Sequence, residues 1–220
     1  MKVLAIISRK GGAGKTTIAT HLAVAAESLG LATVLFDLDP QASAAVWGDS
    51  RAEDFPTVHP AQAARLPILL NQAREQGADL VILDTPPEAD RIASDAADQA
   101  DAILIPCRPS ALDLKAIPAT VRVARASGKP FFVVVNAAPV QGPEVEEMQE
   151  TLAASGIEVA PIILHHRKPF SARMQEGRTA QEIDPRGKAA EETRALFLWI
   201  CEKTSMLPNQ KTTKERKAGS

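Results

Sequence analysis

The eight residues Lys10-Gly11-Gly12-Ala13-Gly14-Lys15-Thr16-Thr17 hold three glycines, two lysines and two threonines, between an apolar run and a helical pattern. Glycines let a backbone curl until successive N–H groups point inward at phosphate oxygens, and a helix that follows adds its positive end. The flanking strand and helix separate such a loop from a plain Gly-rich turn. Lys15 then suits the β- and γ-phosphates, Thr16 a hydroxyl on Mg²⁺, and Thr17 an α-phosphate oxygen. The loop departs from the ordinary pattern at two points. Arg9 stands where the first glycine is expected, and Lys10 adds a second lysine before the paired glycines.

Outward from this loop, short apolar runs recur at Lys2–Ser8, Ala32–Asp37, Asp79–Asp84, Asp101–Pro106, Pro130–Asn136 and Val159–Leu164. They are nearly continuous rather than alternating, as in strands buried on both faces of a parallel sheet. Helical stretches separate them: Lys15–Leu29, Ser43–Ser50, Leu66–Gln76, Glu88–Gln99, Leu112–Ser127 and Pro143–Ser155. A last one covers Lys188–Thr204. Strand–helix alternation predicts right-handed crossovers and an α/β fold, a doubly wound, mainly parallel sheet flanked by helices. Pro67 and Pro118 predict helices that start late or kink. One domain is expected over residues 1–207, with 208–220 as a flexible, polar, basic tail.

Three strand ends carry polar residues suited to the same chemistry. Asp37 and Asp39 close the second run in Asp37-Leu38-Asp39-Pro40-Gln41, where open α/β sheets place ligands. Phosphoryl transfer needs a carboxylate that orients the attacking water. Asp-Pro is also a turn signal by itself. Asp84 follows Leu80-Val81-Ile82-Leu83, a buried run that ends in a carboxylate and suits Mg²⁺ held through water; in isolation a helix cap would read alike. Asn136 is followed by Ala137, Ala138 and Pro139, not by the Asn-Lys-x-Asp of a guanine site, which favours ATP.

Together KGGAGKTT, FDLDPQAS and VILDTPP, with PSALDLKA, FFVVVNAA and EIDPRGKAAEE further on, resemble the ParA/MinD family of P-loop NTPases with a deviant Walker A loop, its short ParA-like members above all. The resemblance implies a slow, partner-stimulated ATPase using ATP and Mg²⁺. It implies that Asp39 orients the water, that Asp37 and Asp84 support Mg²⁺, and that Asn136 contacts adenine, although a strand-end turn residue would look the same. It implies an ATP-dependent homodimer in which Lys10 crosses to the partner's phosphates and neutralises developing charge; a solvated lysine beside the loop is the plainer alternative. A ParB-like or other adaptor is expected by the same resemblance, and a cargo that is a plasmid, a chromosome or a protein assembly.

The chain has 220 residues and a net charge of −2, with 25 Lys plus Arg against 27 Asp plus Glu. That excludes a globally basic nucleic-acid binder. The charge is uneven: residues 1–164 carry −7 and residues 165–220 carry +5. The excess includes Arg167, Lys168, Arg173, Arg178, Arg186, Lys188, Arg194 and Lys203, then Lys211, Lys214, Arg216 and Lys217 in the tail. Such a face suits nonspecific DNA phosphates, and by resemblance a cytoplasmic, nucleoid-associated protein; a solvated helical face is the alternative. No helix-turn-helix precedes the loop, so operator recognition is not expected. Lys211–Ser220 lacks the apolar face of a membrane-cycling, MinD-like tail, so no membrane partner is expected. A conjugation-associated ParA-type DNA-processing ATPase stays open. Cys107 and Cys201 are too far apart for a local metal pattern and read as reduced core thiols. His165 and His166 have no acidic partner at ligand spacing.

Overall fold

The structure, a computed structural model, describes residues 1–206. The flexible basic tail expected over residues 208–220, with Lys211, Lys214, Arg216 and Lys217, lies outside the described residues. Six strands form one parallel sheet: β1 (Lys2–Ile6), β2 (Thr33–Asp37), β3 (Thr57–Pro60), β4 (Leu80–Asp84), β5 (Ala102–Cys107) and β6 (Phe131–Val135). Their order is β3-β2-β4-β1-β5-β6, and every pairing is parallel. The helices are α1 (Lys15–Ser28), α2 (Ser43–Asp49), α3 (Leu66–Glu75), α4 (Asp90–Gln99), α5 (Ala111–Ala126), α6 (Glu144–Ala154), α7 (Ala180–Ile183) and α8 (Lys188–Thr204).

Continuous apolar strands follow from the two-sided burial. Val3, Ala5 and Ile7 face a cluster shared with α3, α4, α5 and α6, while Leu4 and Ile6 face one built with α1, α2 and α8. Successive side chains leave a strand on opposite faces, so a strand with both faces covered has no polar position to alternate with. Cys107 and Cys201 are free and buried, and burial pushes both thiols up to about 12.

One strand lies where none is expected, and one expected strand is corrected. Thr57–Pro60 forms β3, a short, half-exposed edge strand; it has no apolar run to reveal it, and Pro60 is tolerated at an edge. Val159–Leu164 is not a strand. It meets β6 at one isolated bridge, Val133 with Val159, and through two hydrogen bonds, Ala160 N–H to Val133 O at 2.8 Å and Leu164 N–H to Val135 O at 2.9 Å. Four residues on one side thus match two on the other, and Pro161 between them has no N–H, so no ladder can run through. Pro67 sits in the first turn of α3, where its missing N–H costs nothing, and Pro118 lies inside α5 without ending it.

Candidate nucleotide-binding site

The strand registers bring the signalled residues to one edge. Ile6 and Asp37 both pair with Asp84, so β1, β2 and β4 end side by side and their following loops meet. The loop after β1 leads into α1 through Gly14, whose φ is 94°. A Cβ there would lie 2.2 Å from Asn136 Nδ2. Only glycine satisfies both the left-handed backbone and that approach. Asn136 is buried at the end of β6 and donates from Nδ2 to Ala13 O at 2.7 Å. One carboxamide N–H therefore closes the phosphate loop, and the second is left for another acceptor.

Lys15 is 6 % exposed. Burial holds its pKa below the usual value, opposed first by Asp84 and then by Asp39. Thr16 Oγ1 donates to Asp84 Oδ2 at 2.6 Å, and the other oxygen, Asp84 Oδ1, is buried with no hydrogen-bond partner. Burial, reinforced by the Asp37 carboxylate, pushes Asp84 up to about 7, although the Thr16 hydrogen bond and Lys15 act the other way. An unpaired buried oxygen beside a hydroxyl fits Mg²⁺, a hard cation commonly held by one or two carboxylates plus substrate phosphates. No group of three or more His, Cys, Asp or Glu suited to a metal occurs among the described residues. Thr17 is half-buried, and its carbonyl is held by Thr20 Oγ1 and His21 Nδ1.

The resemblance implies that Asp37 supports Mg²⁺ or its waters. In the fold its Oδ2 accepts the N–H groups of Ala44 and Ala45 at 2.8 and 2.9 Å, and its Oδ1 accepts that of Asp39 at 3.0 Å. Because β2 ends beneath the N-terminus of α2, both oxygens are engaged in holding the acidic loop. Asp39 is half-buried within that loop, and its Oδ1 accepts Gln41 N–H at 2.9 Å. A cavity of about 630 Å³ beside it is lined by Asp39, Pro40, Ala42, Gln62, Leu69 and Ile92. Lys10 is exposed, and its ammonium forms no hydrogen bond or ion pair with the described residues.

Two cations escaped the sequence reading. Arg9 noted there only as a departure, pairs with Asp90 at 2.9 Å while its carbonyl accepts Glu88 N–H. It thereby ties the phosphate loop to the segment after β4. Arg108, just past β5, points its guanidinium at Gly12, 4.0 Å from where a Cβ would stand. The only signal for Arg108 was its place at a strand's carboxyl end.

The eight DNA candidates are less free than their count implies. Arg167 pairs with Glu192, Arg173 with Glu176, Lys188 with Glu191 and Lys203 with Glu158. Arg178 and Arg194 donate to the carbonyls of Glu182 and Pro185. Lys168 and Arg186 have no such partner among the described residues. His165 does have an acidic neighbour: Glu192, 27 positions on, meets its Nδ1 at 2.8 Å. The turn of the chain, not local spacing, makes that pair. No helix among the described residues is long and apolar enough to cross a membrane.

Residues 4–180 match the CobQ/CobB/MinD/ParA nucleotide binding domain. The sequence is 34 % identical over 207 residues to the maintenance of carboxysome distribution protein A of Gloeobacter kilaueensis, covering 91 % of this chain and 93 % of that protein. It is 28 % identical over 188 residues to the protein ParA of Rhizobium radiobacter, covering 80 % and 84 %. The fold is similar to that of the septum site-determining protein MinD of Pyrococcus horikoshii, solved with Mg-ADP, with a TM-score of 0.72 at 17 % identity over 94 % of this chain and 99 % of that one.

Proposed function

The chain belongs to the CobQ/CobB/MinD/ParA nucleotide-binding family and is an ATPase of its ParA/MinD branch, and on that premise we propose that it works as an ATP-driven dimerisation switch that positions a cargo along DNA. The observation that carries the reading is the Thr16–Asp84 pair beside buried Lys15, with one carboxylate oxygen unmatched. In this reading the loop N–H groups and Lys15 hold the β- and γ-phosphates, while Thr16 and Asp84 hold Mg²⁺. Bound Mg²⁺ neutralises charge that develops on the phosphate oxygens. Asp39 orients the attacking water, and the free N–H of Asn136 serves a ring nitrogen of adenine. Lys10, exposed and unpaired, reaches the phosphates of a second copy, so that ATP joins two subunits and hydrolysis parts them.

The ATP dimer binds nonspecific DNA through cations of the C-terminal quarter, and an adaptor speeds hydrolysis. The relative named for carboxysome distribution supports a protein body as cargo. The test is co-sedimentation with nonspecific DNA under ATP, ADP and no nucleotide, with light scattering for mass. Binding and dimer formation are expected with ATP alone, and Lys10→Gln abolishes both while leaving nucleotide bound. Equal DNA binding in all three states, or a Lys10→Gln dimer, would refute the switch.

A further inference from the structure

Two helices begin at the nucleotide edge, α1 behind the phosphate loop and α2 behind the acidic loop, and residues 177–183 are fastened to both. On the α1 side, His21 is 1 % exposed. Its Nδ1 lies 2.7 Å from Thr17 O, and its Nε2 accepts the N–H of Ala180 at 3.0 Å. A carbonyl only accepts and a backbone N–H only donates, so Nδ1 carries the proton and Nε2 the lone pair. The ring is thus neutral and in one tautomer. It links the first turn of α1 to the start of α7, and Gln181 Nε2 adds a bond to His21 O at 2.8 Å.

On the α2 side, Arg51 follows the last turn of that helix, its side chain 4 % exposed. It donates to Glu182 Oε1 at 2.8 Å, Gly177 O at 2.7 Å and Phe55 O at 2.8 Å, and stacks on Trp47 at 4.6 Å. A Cβ on Gly177 would come within 2.5 Å of the Arg51 backbone, so the two main chains touch. Glu182 also accepts Thr179 N–H at 2.7 Å, which shapes the segment into its bound form. A buried ion pair of this kind is weak evidence of stability and better evidence of a fixed register.

The helix joined through His21 carries Lys15 and Thr16. The helix joined through Arg51 is held at its start by Asp37, whose loop carries Asp39. Their relative position therefore sets how the phosphate grip faces the water-orienting carboxylate. We propose that residues 177–183 are a strap holding α1 and α2 in catalytic register, with His21 and Arg51 as positioning residues for ATP hydrolysis. This rests on the reading of Asp39 as the water-orienting group.

The test compares steady-state ATP hydrolysis and equilibrium binding of a fluorescent Mg-ATP analogue in the full chain and in Gly177→Ala, Arg51→Gln, His21→Leu and His21→Gln. Folding of each is checked by circular dichroism. The first three are expected to lose about tenfold in kcat, with KM and analogue affinity held within about twofold, because small misplacements away from the chemistry slow it without loosening binding. His21→Gln keeps an acceptor near the place of Nε2 and should recover most of the rate. Gly177→Ala alters no group assigned to ATP and keeps the test open if His21→Leu does not fold. Wild-type kcat in folded Arg51→Gln and Gly177→Ala overturns the strap, as does a KM that rises in step or a His21→Gln as slow as His21→Leu. Asp39→Asn separates the two claims: if it alone is slow, the strap fails, and if it is not slow, the reading beneath it fails.

Discussion

Asp84 and His21 are both buried ionisable groups, and burial disfavours the charged form of each, so their pKa values shift in opposite directions. Burial lifts Asp84 to about 7. A carboxyl raised in the folded state stabilises it fully below the unfolded pKa, and that contribution is lost as pH rises through the folded one. Asp84→Asn should therefore raise the melting temperature of the nucleotide-free protein at pH 8 more than at pH 5, and abolish the stabilisation that Mg-ATP gives. Scanning fluorimetry at both pH values, with and without Mg-ATP, measures this; a variant still stabilised by Mg-ATP would remove Asp84 from the site. His21 runs the other way. Burial lowers it to about 4, against the Thr17 hydrogen bond, so its contribution is present above the unfolded pKa and lost as pH falls through the folded one. A drop from 6.5 to about 4 corresponds to about 3 kcal/mol. Because the Asp84 contribution cancels between the two proteins, urea titrations between pH 7 and 4 should show His21→Gln gaining stability relative to the wild type as pH falls.

Among the elements, α5 shows how a local signal sets a boundary. Ser110 caps it, accepting Asp113 N–H at 3.1 Å, and Asp113 returns a side-chain contact although it is itself buried. Ser110→Ala should cost about 1 kcal/mol for the lost cap, and more if Asp113 is left unpaired. Chemical denaturation checks this, and an unchanged midpoint would contradict it. Signals of this kind made much of the fold legible. The run Leu80–Asp84 announced both a buried strand and the acid at its end, and KGGAGKTT announced the loop and the helix behind it. Thr57–Pro60 stayed silent because an edge strand needs pairing, not an apolar run. Val159–Leu164 misled because it is apolar yet out of step with β6. Asp37 was placed at the right edge, but its hydrogen bonds depend on where α2 begins, and periodicity carries no such information. The strap's bonds to His21 and Arg51 span 159 and 131 positions, beyond the reach of spacing.

For the whole molecule, the charge split of −7 and +5 survives as a count but not as a free electrostatic face. Most described cations of the C-terminal quarter already meet a carboxylate or a carbonyl. Each phosphate neutralised contributes about −0.9 to the slope of log affinity against log salt. If DNA is bound as proposed, Lys168→Ala with Arg186→Ala should flatten that slope by about 2 in anisotropy titrations, whereas Lys203→Ala, paired with Glu158 and lying over Trp199, should change it little. An unchanged slope in the double variant would move the DNA face elsewhere. The contact between Asn136 and Ala13 bears on time as well as space. The Gly-rich loop leaves the ribosome well before Asn136, the residue 123 positions later that supplies its closing hydrogen bond. Contacts so far apart in sequence form only after the intervening chain has been organised. If the loop holds ATP as proposed, a chain whose β6 has not yet joined the sheet carries the whole KGGAGKTT motif without the bond that closes it, and nucleotide binding reports that β6 is in place.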